Sequence, residues 1–165
     1  MWVDVIVILI LIFSFVGGIR AGAVNTLFSL LATIIAIPIT GALYGFVASW
    51  LAFLPGENWE NFFGFLITLV VVSVILAVLF LLPRHIIKAI WSGGFLSGII
   101  GGIFGVVNSA IGLFIFVLLI QTYPFLEWLR TIVTESTILT SIMVYLDFMR
   151  LLLPEAFRSS RIVSY

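Results

Sequence analysis

The 165-residue chain contains no cysteine, and charged side chains make up only 8% of it. The first absence excludes disulfides, thiolate metal sites and cysteine nucleophiles. The second says more, because a soluble domain carries about 25% charged residues. So few charges cannot coat a globule, and a mean hydropathy of +1.39 points to lipid as the solvent. Seven basic and seven acidic residues cancel, which leaves no electrostatic footprint for a nucleic acid. Signatures of catalysis are missing too. The sole histidine, His85, lies in a different segment from Ser136, and no GxxxxGK[ST] loop or HExxH pair occurs. The chain reads as a non-enzyme with no catalytic residues, metal ligands or cofactor.

What the sequence has in quantity is apolar length. A helix needs about 20 apolar residues to cross a bilayer, and four runs supply them at about 2–19, 23–40, 62–82 and 95–120. The first, "MWVDVIVILILIFSFVGG", lacks the basic start of a signal peptide and carries Asp4 instead, so it reads as a retained span. The second continues apolar to Leu54, roughly 48 Å as one helix. Pro38, Gly41 and Gly45 are expected to break it, leaving one span and a piece near the surface. "PRHIIKAIW" after the third run is short, basic and amphipathic. From Pro124 onward the pattern is an amphipathic helical segment and tail, 124–165, with Ile138, Ile142, Tyr145, Leu146, Met149 and Leu153 expected on one face. The predicted fold is an all-α integral membrane protein. Residues 1–123 form a four-helix transmembrane bundle, followed by interfacial C-terminal helices.

Glycine is abundant where a helix tolerates it poorly, at about 1 kcal/mol each relative to alanine. On a helix, Gly94, Gly98, Gly101, Gly105, Asn108 and Gly112 fall in one strip about 80° wide, with Gly102 and Ser109 along its edge. Lipid tails are as apolar as leucine, so helices in a membrane associate through close packing and hydrogen bonds. The strip is therefore predicted to be a docking face, with Asn108 bonding across the contact. The rival reading is a path in which glycine leaves room for a solute. The polar groups to line one are few: Asn108, Ser109, Ser14, Asn25, Thr33, Thr68 and Ser73.

Arg20 lies in the first connection and Arg84 and Lys88 in the third. The positive-inside rule then places these connections in the cytoplasm and both termini outside. Arg20, Arg84 and Lys88 read as anchors of that orientation. Asp4, in the first turn of a helix, complements its dipole, with a proton or cation site as the alternative. Tyr44, Trp50, Trp59, Trp91, Tyr123 and Trp128 read as an aromatic belt at the span ends.

Several of these features occur together in the colicin V production protein family of bacterial membrane proteins. The opening "WVDVIVILILIFSFVGGIRAGAVNTLFSLL" resembles that family's start, where an aspartate precedes an apolar run and a glycine–x–arginine–x–glycine element: here Asp4, Gly18, Arg20 and Gly22. "GGIFGVVNSAIGLFIFVLL" is similar to its late glycine-spaced span, with Gly101 and Gly105 in the matching places. "YPFLEWLRTIVTESTIL" resembles its post-span element through Trp128 and Ser136. Where the family tends to carry charge, this sequence reads Ser97-Gly98 and Asn108. The resemblance implies a multi-pass protein of the bacterial cytoplasmic membrane that supports peptide-toxin production or export and envelope homeostasis. It brings no catalytic residues. The partners expected are the lipid bilayer, another copy of the chain or an envelope protein; the alternative is a small channel or carrier.

Overall fold

The computed structural model describes residues 2–52, 57–90, 93–123, 131, 133 and 135–152, with 57, 58, 88–90, 150 and 152 described by backbone alone. Among them every regular element is helical: α1 (Trp2–Ala21), α2 (Ala23–Trp50), α3 (Glu57–Leu79), α4 (Leu81–Ile90), α5 (Phe95–Thr122), α6 (Thr137–Tyr145) and a 3-10 helix (Asp147–Leu152). In lipid no water is available to satisfy backbone groups, so helices that close their own hydrogen bonds are the expected solution for such a sequence. Four of them, α1, α2, the Trp59–Leu79 part of α3, and α5, are long and apolar enough to cross a membrane.

The helices pack as two antiparallel pairs, α1 on α5 and α2 on α3, joined where α2 also meets α5. One end of the bundle carries the start of α1, the end of α2, the start of α3 and the end of α5. The other carries Arg20, the short corner at Gly22 and helix α4. The two halves of α5 pack differently. Its first half is rich in glycine and lies close to α1. Its second half is enclosed, with Ile111, Phe114, Ile115, Val117, Leu118, Leu119 and Ile120 all buried. They share a core with Val7 of α1, Ile37 of α2, Phe65 of α3 and Leu139 and Met143 of α6.

The expected break in α2 does not occur. The helix runs without interruption through Pro38, Gly41 and Gly45 to Trp50. Proline removes one backbone donor, but the turns around it are held by tertiary contact. Ile37 and Thr40 are fully enclosed, and Ala48 lies directly against Gly64 of α3. Breaking the helix there would strip both that contact and several backbone bonds in an apolar setting. The C-terminal segment also differs in detail from its expected face. It buries Leu139, Met143 and Met149, whereas Tyr145 projects outward at 80% exposure. The change from α-helix to 3-10 helix after Tyr145 rotates the following residues away from a single 3.6-residue register.

The aromatic side chains at the α2–α3 end divide in two. Trp50 is exposed, as a belt residue would be, but Tyr123 is buried. Its ring packs edge-on against Phe62, and Tyr44 does the same against Phe65. Trp91, Trp128 and Leu153 lie outside the described residues.

The α2–α3 contact yields a paired test. A Cβ on Gly64 would sit 2.8 Å from that of Ala48, whereas one on Gly45 would meet nothing within 4 Å. Gly64→Ala should lower thermal stability by about 1–3 kcal/mol through overpacking. Gly45→Ala should leave it unchanged or raise it by up to about 1 kcal/mol. Melting of the purified variants in detergent, followed by circular dichroism, measures both.

Candidate functional site

The seam between α1 and α5 is built almost without side chains. A Cβ on Gly18 would overlap the Gly101 carbonyl, and one on Gly101 would overlap the Gly18 carbonyl oxygen and reach the Gly22 carbonyl carbon at 2.7 Å. One turn along, a Cβ on Gly105 would stand 2.5 Å from the Ser14 carbonyl oxygen. The approach is therefore backbone to backbone over Ser14–Gly22 and Gly98–Ser109. Gly102, predicted at the strip's edge, receives the Phe15 ring, which a Cβ would meet at 2.6 Å. Gly98 is less tightly held, with Ile19 its nearest neighbour at 3.3 Å.

The ends of the predicted strip do not take part. Gly94 and Gly112 have nothing within 4 Å of a Cβ position, and both are exposed. Gly94 precedes α5 with an extended backbone, so helical periodicity does not apply to it. Gly112 lies on the outer side of the half of α5 whose packing is made by Ile111, Phe114 and Ile115.

Asn108 makes its cross-helix contact with α2 and not with α1. Its amide nitrogen is 3.5 Å from Ser29 Oγ, a long contact. The polar bridge from α5 to α1 is made by Ser109 instead, which pairs with Ser14 Oγ. Ser14 also donates its hydroxyl proton to the Ile10 carbonyl at 2.8 Å, so Ser109 is the donor in that pair.

The α1–α2 corner explains the spacing of Gly18, Arg20 and Gly22. Gly18 is buried in the seam while Arg20 is exposed on the other side of the helix. Gly22 has φ 80° and ψ 162°, a conformation essentially restricted to glycine. It lets a single residue reverse the chain between two helices. Without a side chain, Gly22 cannot cap α2. Ser97 of α5 does part of that work, accepting a hydrogen bond from the Ala23 amide at 3.2 Å.

A second cap operates at the opposite end of the bundle. Ser136 is fully buried and is the N-cap of α6, accepting from the Leu139 amide at 3.2 Å. Its hydroxyl donates to Asp4 Oδ1 at 2.7 Å. The same carboxylate oxygen accepts the Ile138 amide at 3.2 Å. Helix starts leave four amides without partners, and here two of them are satisfied together, one by Ser136 and one by a carboxylate from α1. The Asp4 charge also complements the α6 dipole. The sequence had placed Asp4 at the start of α1, where it does lie, but its bond to a residue 132 positions away left no periodic trace. The signal that could have found half of it is the serine placed three residues before Leu139, a common N-cap pattern.

Arg84 sits on α4 and is half-buried, and Lys88 belongs to the same helix with only its backbone described. Among the described residues no group of three or more histidine, cysteine, aspartate or glutamate side chains could hold a metal.

Four spans with antiparallel packing, a glycine seam and cross-helix caps define a multi-pass α-helical membrane protein. Residues 3–146 match the family described as colicin V production protein, and the chain belongs to that family. No curated protein and no solved structure matches it. The resemblance rested on Asp4, Gly18, Arg20, Gly22, Gly101, Gly105, Trp128 and Ser136. Trp128 lies outside the described residues and Arg20 is exposed on the far side of α1; the fold gathers the others into the seam and the Asp4–Ser136 cap.

Two measurements test this arrangement. Gly17 and Gly18 are neighbours in sequence, yet a Cβ on Gly17 would meet nothing within 4 Å. Gly18→Ala should cost about 1–3 kcal/mol, and Gly17→Ala should be neutral or stabilising by up to about 1 kcal/mol. For the cap, Asp4→Asn and Ser136→Ala should each speed hydrogen exchange at the Ile138 and Leu139 amides. The double variant should be no faster than the sum of independent effects allows, because the two side chains share one hydrogen bond.

Proposed function

We propose that this protein supports the production or export of a peptide toxin, and envelope homeostasis, from the bacterial cytoplasmic membrane. It acts without catalysis, as a packed scaffold that engages an envelope partner, and the positive-inside rule orients both termini outward. The observation that carries this reading is the occupancy of the glycine strip by α1 of the same chain. With its stretch from Gly98 to Gly105 filled by α1, that part of the strip has no room for a solute or for a second copy. A partner-facing surface is available on the C-terminal segment. There Val144 and Tyr145 of α6 and Phe148 and Leu151 of the 3-10 helix that follows are 60–80% exposed, and the start of α6 is fixed to α1 through Asp4.

A second reading, a small channel or carrier for a solute, ion or peptide, draws on Asn108. Its buried Oδ1 has no hydrogen-bond partner, a costly state in an apolar interior. Against it, several other polar groups within the spans donate to the backbone carbonyl four residues before them. Asn25 donates to the Ala21 carbonyl, Thr33 to Ser29 and Thr68 to Gly64. Such groups are satisfied locally and offer little to a passing solute.

Complementation separates the two. In a toxin-producing strain lacking its own family member, this chain should restore toxin release to the medium. Tyr145→Ser/Phe148→Ser should reduce release while leaving the melting temperature of the purified protein unchanged. Liposomes containing the wild-type protein should pass no ions or small solutes above the empty-liposome rate. Flux above that rate, abolished by Asn108→Leu, would favour the carrier reading instead.

A further inference from the structure

The acidic and basic residues are segregated along the chain. No aspartate or glutamate occurs from residue 5 to 56 or from 61 to 126. Those stretches contain Arg20, Arg84, Lys88 and His85, all at the bundle end formed by the α1–α2 corner and α4. Among the described acids, Asp4, Glu57 and Glu60 lie in the first turns of α1 and α3 at the opposite end, and Glu135 and Asp147 flank α6, whose start is bound to Asp4. The cationic end therefore has no acidic partner of its own among the described residues.

Helix α4 concentrates that charge. At about 100° per residue, the positions of Arg84, Lys88 and His85 fall within one arc of about 100°. Leu82, Pro83, Ile86, Ile87 and Ile90 occupy the other side. The protein does not cover this apolar side: Leu82 is 76% exposed and Ile86 62%. Arg84 is half-buried, and its Nε has no hydrogen-bond partner in the protein. Phe80 joins α4 to α3 through continuous backbone bonds, its amide to Leu76 and the Arg84 amide to its carbonyl. The first turn of α4 therefore lies within a few ångströms of the end of a membrane span. Headgroups occupy that depth, since they add about 5–7 Å to each side of the hydrocarbon core. An apolar face that needs acyl chains and a cationic face that needs anions meet at that depth.

We propose that α4 is a binding site for anionic phospholipid, with headgroup phosphate held at Arg84, on the face that also carries position 88, and the acyl chains lying against Leu82 and Ile86. Arginine suits the task because its planar guanidinium can donate two parallel bonds to phosphate oxygens. The site is independent of toxin production and of which leaflet α4 faces.

Native mass spectrometry of the full-length protein in detergent tests it. Phosphatidylglycerol and phosphatidylcholine with matched acyl chains are titrated separately. Wild type should retain phosphatidylglycerol about 25-fold more strongly, since each of the two cations removed should weaken that preference about fivefold. Arg84→Gln/Lys88→Gln should bring the two lipids to near parity, and Arg84→Lys/Lys88→Arg should keep phosphatidylglycerol preferred. Inorganic phosphate at the same concentration should not displace the lipid. Equal retention of the two lipids by wild type, a result that needs no variant to fold, would overturn the proposal. So would an undiminished preference in the glutamine variant, or displacement by free phosphate, which would indicate a simple anion site.

Discussion

Everything in this bundle depends on how closely two backbones can approach where water is absent. Hydrophobic burial does little to hold helices together in lipid, because the alternative to a neighbouring helix is an equally apolar acyl chain. What remains is dispersion, summed over many atoms at contact distance, and the few hydrogen bonds available. At Gly18 and Gly101 both helices present bare backbone, and neither could carry even a methyl group there. The intrinsic cost of glycine in a helix is thus offset by contacts that no larger residue could reach. The exposed outer faces, such as Val70, Val74 and Val78 of α3, are left for lipid.

Around that seam the polar groups form bonds between helices that the chain separates widely. Ser109 reaches Ser14, Ser97 reaches the start of α2, and Asp4 reaches the start of α6. Two of these satisfy helix N-termini from another helix. Unpaired amides cost more in an apolar setting than in water, so each cap ties a helix start to a particular neighbour. The glycine seam sets how α1 lies on α5. The Asp4 carboxylate then determines where α6 begins. In this way a feature at one end of α1 positions the surface on which the proposed partner contact depends.

Much of this was legible before any coordinates. Four spans follow from apolar length, and the docking character of the residues at 98, 101 and 105 follows from small side chains recurring on one helix face. Periodicity could not say where the contact stops. Gly112 shares the angular position of the others but not their neighbours, and Gly94 lies before the helix begins, where periodicity assigns it no face. Asn108 does reach across to a neighbouring helix, but the strip could not name which one, and Ser29 of α2 lay on its side. Pro38 promised a break, since local rules do not record that Ala48 would be held against Gly64. The Asp4–Ser136 bond was invisible because neither residue's local pattern names its partner.

The absence of cysteine allows a direct test of the central claim. Ser14→Cys and Ser109→Cys introduce a single reactive pair at the seam, where the two hydroxyls now meet. Oxidation in native membranes should join them within one chain, giving a faster-migrating monomer after denaturation and no dimer. Failure to crosslink, or crosslinking only between chains, would contradict an α1–α5 seam formed within a single molecule.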